Sequence, residues 1–110
     1  MASMPRATFQ VRTYRRVPVQ RPVYFSNDEV QGTGHVWNMS MDGCRIDGNI
    51  EIQPGLTFSL LMMPAENEPA IIVDQARVAW ARGPECGLRI KQIQPREAKR
   101  LRRIVIARIT

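Results

Sequence analysis

Two short patterns in this chain carry residues that could do chemistry. The first is Arg12-Thr13-Tyr14-Arg15-Arg16, which spaces two guanidinium forks four residues apart. The second is Asn38-Met39-Ser40-Met41-Asp42-Gly43, which sets an amide, a hydroxyl and a glycine at intervals of two and three. A guanidinium binds phosphate or guanine through paired, charge-assisted hydrogen bonds. Asn, Ser and Asp hydrogen-bond nearby backbone in turns, and Gly lets a backbone or a ligand approach closely. The spacing of the second pattern suits a loop that wraps a ligand and lets backbone approach it closely. An Arg-x-x-x-Arg alone says little in an arginine-rich chain. The Asn-x-Ser-x-x-Gly spacing arises by chance in only about one chain in twenty of this length, so it weighs more.

The charge agrees with an anionic ligand. The 110 residues carry a net charge of +6. The basic residues are 14 Arg to 2 Lys, which favours the planar fork over the point charge. Residues 1–24 contain five arginines and no acid. A second concentration follows at Arg96, Lys99, Arg100, Arg102, Arg103 and Arg108, against Glu97 alone. Such a balance calls for a nucleotide, nucleic acid, membrane surface or acidic protein as partner.

Other chemistries have little to stand on. His35 is the sole histidine, and Cys44 and Cys86 lie far apart with no Cys-x-x-Cys, which argues against a zinc site or a redox pair. Both cysteines fall in strand-like segments and read as small buried hydrophobes. There is no paired-carboxylate, Ser/His/Asp or Cys/His set, so no catalytic residue is assigned and no enzyme is expected. The longest apolar run, residues 58–63 with Ser59 inside it, is far short of the ~20 residues of a membrane span. The first residues lack an apolar signal core, so the expected location is cytoplasmic.

The elements that must position these residues are mostly strands. Residues 1–16 read as a flexible basic arm. Residues 17–25, broken by Pro18 and Pro22, read as an edge strand. Residues 26–34 read as a loop by composition. Short strands are expected at 35–39 and 44–46, on either side of the polar turn. Leu56, Phe58, Leu60 and Met62 alternate as in a half-buried strand. In residues 71–82 the apolar parity changes, which predicts a bulge or a change of buried face. Cys86, Leu88 and Ile90 alternate again.

About six strands at short intervals predict a sandwich or barrel. From Pro95 to Ile109 the period changes. Ala98, Leu101, Val105 and Ile109, with Ile104, form one apolar stripe of a helix. The expected fold is therefore all-β dominated, an antiparallel barrel or sandwich over residues 17–110 closed by one C-terminal amphipathic helix at about 95–109.

The order and separation of the two motifs make a specific resemblance. The chain resembles the PilZ domain, a family of bacterial receptors for cyclic di-GMP. The match is Arg12-x-x-x-Arg16 followed by Asn38-x-Ser40-x-x-Gly43. It continues through Arg16-Val-Pro-Val-Gln-Arg-Pro-Val23, and through Val78-Ala-Trp80 ahead of Cys86-Gly87-Leu88-Arg89-Ile90. It spans roughly residues 11–109. One departure is Asn38, where many members carry Asp.

The resemblance implies a six-stranded barrel with a C-terminal helix. It implies cyclic di-GMP as ligand, with no metal or other cofactor. Arg12 and Arg16 would clamp the ligand, while Asn38, Ser40 and Gly43 form the barrel side. In a second tier stand Trp80, at a position where some members present an aromatic to guanine, and Arg15. Val11 also belongs there, at a position that in this family influences whether one ligand or a stacked pair binds. Arg89 has outward parity and is not assigned to the site.

The expected role is a single-domain adaptor, monomer or weak dimer, whose arm orders on binding and signals to an effector protein in control of motility or biofilm formation. Two alternatives stand beside it. One is a PilZ-like interaction module without ligand. The other is a basic-helix binder of nucleic acid or anionic surfaces, with nucleic acid the less favoured partner because a docked helix also carries a solvated basic face.

Overall fold

The structure is a computed structural model that describes residues 17–64 and 67–109. The expected arm, with Val11, Arg12, Arg15 and Arg16, lies outside the described residues. Six strands run in order: β1 (Val17–Ser26), β2 (Gln31–Met39), β3 (Gly43–Gly48), β4 (Thr57–Met62), β5 (Ile71–Arg82) and β6 (Glu85–Gln92). They close into an antiparallel barrel in the order β1-β2-β3-β6-β5-β4, and one helix, α1 (Pro95–Ile109), follows. This is the six-stranded barrel with a C-terminal helix that the sequence leads one to expect.

Alternation drives the closure. In β4, Phe58, Leu60 and Met62 point inward while Thr57, Ser59 and Leu61 face out. In β3, Cys44 and Ile46 are buried, while Arg45 and Asp47 are partly exposed. The inward rows meet in one core, where Phe25 and Phe58 pack edge to face with ring centroids 5.3 Å apart. Cys44 and Cys86 belong to this core and form no disulfide. Burial pushes the Cys86 thiol from its ordinary value of 9.0 up to about 11.

Three features differ from the sequence reading. β1 is not an edge strand, because the barrel leaves none. It pairs with β2 along its length and with β4 only over residues 23–26, so neither Pro18 nor Pro22 has to donate a hydrogen bond to β4.

Residues 26–34 are not a long loop. The Asn27 carboxamide accepts hydrogen bonds from the Glu29 and Val30 amides, and β2 begins at Gln31. Its glycines serve close contact. A Cβ at Gly34 would lie 1.7 Å from the Asp47 carbonyl oxygen, and one at Gly32 would strike the Phe25 ring.

The parity change in β5 is real, but it takes two irregularities. One extra residue opposite β4 lies at Asp74/Gln75, leaving Ala76 and Val78 inward and Arg77 outward. A second, at Ala79 opposite β6, turns Trp80 outward.

α1 docks through Leu101 and Val105, both fully buried, with Ala98 and Ile104 partly so. Its first turn is stapled to the barrel. The Glu97 carboxylate accepts the Ile72 amide hydrogen at 2.7 Å. Arg100 donates to the Ala70 carbonyl at 2.9 Å and also to the Pro69 carbonyl.

Candidate functional site

The expected turn joins β2 to β3. The Ser40 amide donates to the Gly43 carbonyl at 2.8 Å, and the Ser40 hydroxyl points at Asp42 Oδ1, 2.5 Å away. The Asp42 carbonyl accepts the Ile90 amide at 2.8 Å, so β6 holds the turn from below. Ser40 is 0% exposed. Its hydroxyl is spent inside the turn, with the Gly43 carbonyl 3.4 Å away. In this structure Ser40 shapes the loop. Gly43 is needed for approach: a Cβ there would lie 2.3 Å from the Leu88 carbonyl oxygen on β6.

Strand register extends the site beyond the turn. Pro18 pairs with Asn38, Asn38 with Arg45, Arg45 with Gly87, and Gly87 with Trp80. From Asn38 to Trp80, four strands thus contribute one residue each to a single line across the sheet. Ladder irregularities adjoin that line on β1, β2 and β5. Bulges re-aim side chains, and here they bring Asn38 and Trp80 into line. Trp80 is 40% exposed, and its indole lies over Gly87, where a Cβ would come within 2.1 Å of Nε1. An exposed indole beside an amide and a guanidinium can stack on a base while its neighbours take polar atoms.

Arg45 and Gly87 are the members of this line that sequence reasoning missed. Arg45 sits two residues beyond Gly43, so alternation alone puts it on the outer face. Its guanidinium is directed at Glu85 Oε1, 2.9 Å away, and its Nε is buried without a hydrogen-bond partner. His35 and Trp37 face outward on β2. The Trp37 indole donates to Asp47 Oδ2 at 2.9 Å, and the His35 amide donates to Asp47 Oδ1 at 2.9 Å.

The structure thus brings Asn38, Ser40 and Gly43 together at the β2–β3 turn, and puts Trp80 on the register line of Asn38, three strands away, with its indole over Gly87. Arg12, Arg16, Arg15 and Val11 lie outside the described residues. No group of His, Cys, Asp and Glu among the described residues could hold a metal ion. No helix among them is long and apolar enough to cross a membrane. Of the helix cations, Arg100 is engaged at the barrel rim, and Arg96, Lys99, Arg102 and Arg103 are exposed.

A closed six-stranded antiparallel barrel followed by one C-terminal helix defines the class of fold. The PilZ domain model matches residues 10–107, nearly the whole chain, and the chain belongs to the PilZ domain family. No curated protein matches the sequence. The fold is similar to the Bacillus subtilis inhibitor of motility (MotI/DgrA), with a TM-score of 0.72 and 19% identity over 87% of this chain and 50% of that one. The chain therefore spans about half the length of that protein. It is also similar to the PilZ domain of CeSA from a cellulose-synthesizing bacterium, with a TM-score of 0.63 and 16% identity over 84% of this chain and 96% of that domain.

Proposed function

We propose that the chain is a cyclic di-GMP receptor that acts without catalysis, changing the surface it shows a partner protein when ligand binds. The observation that carries the reading is the line Asn38–Arg45–Gly87–Trp80 beside the Ser40–Gly43 turn. It offers an amide, a guanidinium and an exposed indole on one face. Cyclic di-GMP presents two guanines and two phosphodiesters, which match that set.

Chain connectivity supports the clamp. Val17 pairs with Met39, so Arg16 is joined one residue from the motif strand. Arg12 lies five residues before Val17, within about 18 Å of it at full extension. Arg12 and Arg16 clamp the ligand from the arm, with Arg15 in reach, and ligand binding orders residues 1–16 against the barrel. Asn38 and Trp80 contact the base, while Ser40 and Gly43 hold the loop open to it. Val11 bears on whether one ligand or a stacked pair is taken. The output is control of motility or of a biofilm polymer, a reading supported by the two fold neighbours.

The test is calorimetric titration with cyclic di-GMP, with GTP as the control, at low and physiological salt. Saturable binding specific for cyclic di-GMP is expected. Arg16→Ala should weaken it about ten- to a hundredfold, the loss of one charge-assisted contact. No heat with folded protein would overturn the receptor reading and leave a ligand-independent interaction module. Binding that is lost steeply with salt and shows no preference for cyclic di-GMP would instead point to the exposed basic face of α1.

A further inference from the structure

Next to the motif turn lies a cluster of cations that the receptor reading does not use. Gly43 pairs with Arg89 across the β3–β6 ladder, and Arg89 pairs with Arg77 across the β5–β6 ladder. Two arginines therefore stand directly opposite each other on the outer face. Like charges so placed on a sheet destabilise it. Lys91 is exposed on the same strand as Arg89, at the one-residue irregularity opposite Gln75/Ala76.

The three cations line an open cleft of about 460 Å³ together with Pro54, Gly55 and Ala79, and no acid among the described residues lines it. Among the described residues, none of the three makes an ion pair. Asp42, the acid next to Gly43 in the chain, has its carboxylate turned to the Ser40 hydroxyl, and at the other end of the β3–β6 ladder Asp47 pairs with Glu85, which draws Arg45 away.

The cleft is built and not merely a charged surface. The Gly55 amide donates to the Val78 carbonyl, and the Val78 amide donates to the Leu56 carbonyl, both at 2.8 Å. These bonds fix the 54–56 turn against β5 as a wall. Ala79, small and exposed, leaves the space beside it open.

We propose that Arg77, Arg89 and Lys91 form a phosphate-binding subsite adjoining the Asn38–Gly43 surface. Two guanidinium forks and one ammonium suit an oxyanion with two or more charges. Such an anion relieves the Arg77–Arg89 repulsion on binding. The phosphate comes either from the cyclic dinucleotide held at the neighbouring turn or from a separate phosphorylated small molecule. The first source rests on the receptor reading and the second does not.

The experiment is titration of the full chain with inorganic pyrophosphate and, separately, with cyclic di-GMP, followed by backbone amide NMR and calorimetry. Pyrophosphate is expected to shift the amides of Arg77, Arg89 and Lys91 saturably. The Arg77→Gln/Arg89→Gln double variant should weaken that binding about tenfold or more, as loss of two charge-assisted contacts implies. Asn38→Ala should leave it within about twofold, since the Asn38 amide is not in the cleft.

A matching loss of cyclic di-GMP affinity in the double variant, with competition between the two ligands, assigns the phosphate to the dinucleotide. An unchanged cyclic di-GMP affinity assigns it to a separate compound. If wild-type protein takes pyrophosphate but no cyclic di-GMP, the receptor reading falls and the subsite stands. Non-saturating shifts spread equally over Arg96 and Arg103, or unchanged pyrophosphate binding in a folded double variant, would overturn the subsite. Melting at low salt checks the fold, and the double variant should melt no lower than wild type because a like-charge pair has gone.

Discussion

Trp80 lies over Gly87, its ladder partner on the next strand, and the absent side chain at Gly87 is what makes room for the indole. A methyl group there would meet Nε1 at 2.1 Å. The indole is half exposed, so it can swing away where a backbone could not.

Gly87→Ala is therefore expected to cost only about 1 kcal/mol of stability while displacing Trp80. In a Trp37→Phe background, Trp80 emission should shift to the red as the ring enters water. Cyclic di-GMP affinity should fall along with it. An unshifted spectrum in a folded variant would mean that Gly87 does not set the ring.

Gly43→Ala meets a harder obstacle. Its Cβ would lie 2.3 Å from the Leu88 carbonyl oxygen, which belongs to the β3–β6 ladder and cannot rotate away. Overpacking against backbone should cost about 1–3 kcal/mol, seen as a melting temperature lower by several degrees. Comparing the two glycine variants separates the strand contact from the side-chain slot.

Leu101→Ala probes the helix. Leu101 is buried against the barrel, so truncation should cost about 2–5 kcal/mol in denaturant unfolding. The Glu97–Ile72 and Arg100–Ala70 bonds remain in that variant, and the helix stays attached at its first turn. A midpoint that did not move would show that Leu101 is not docked.

Alkaline pH should weaken the fold through Cys86. The unfolded thiol ionises near its ordinary 9.0, while the buried one holds its proton to about 11. Between those values the unfolded chain binds fewer protons, so unfolding gains ground as pH rises. The stability from this group is full below about 9 and is lost as pH climbs through about 11. Melting temperatures followed across that window should fall less steeply in Cys86→Ala than in wild type. Equal slopes would exclude this thiol as the cause.

Much of this was legible in the sequence, and the failures have physical reasons. Alternation in residues 56–62 and the helical stripe through Leu101 and Val105 report burial directly, so they read correctly. Gly32 and Gly34 misled because glycine marks both turns and crowded strands, and only the position of Phe25 and Asp47 decides which. Pro18 and Pro22 misled because proline on a strand pairing partly on one side resembles proline on an edge. At Ser40 the sequence shows the hydroxyl and its spacing, and the structure adds that this hydroxyl lies against Asp42 Oδ1 within the turn. Arg45 and Gly87 join the site only through register, which one strand's sequence does not contain.

The line from Asn38 to Trp80 also limits how a chain of this kind can change length over evolution. Each of its members reaches the outer face through the count of residues in its own strand. A one-residue insertion or deletion in β2, β3, β5 or β6, placed between the line and the nearest loop, turns that strand's contribution inward and brings an apolar side chain out. The connection between β4 and β5 carries no member of the line, so length changes are better absorbed there. Descendants of this sequence should vary in length at that connection and keep the spacing from Asn38 to Arg45 and from Trp80 to Gly87.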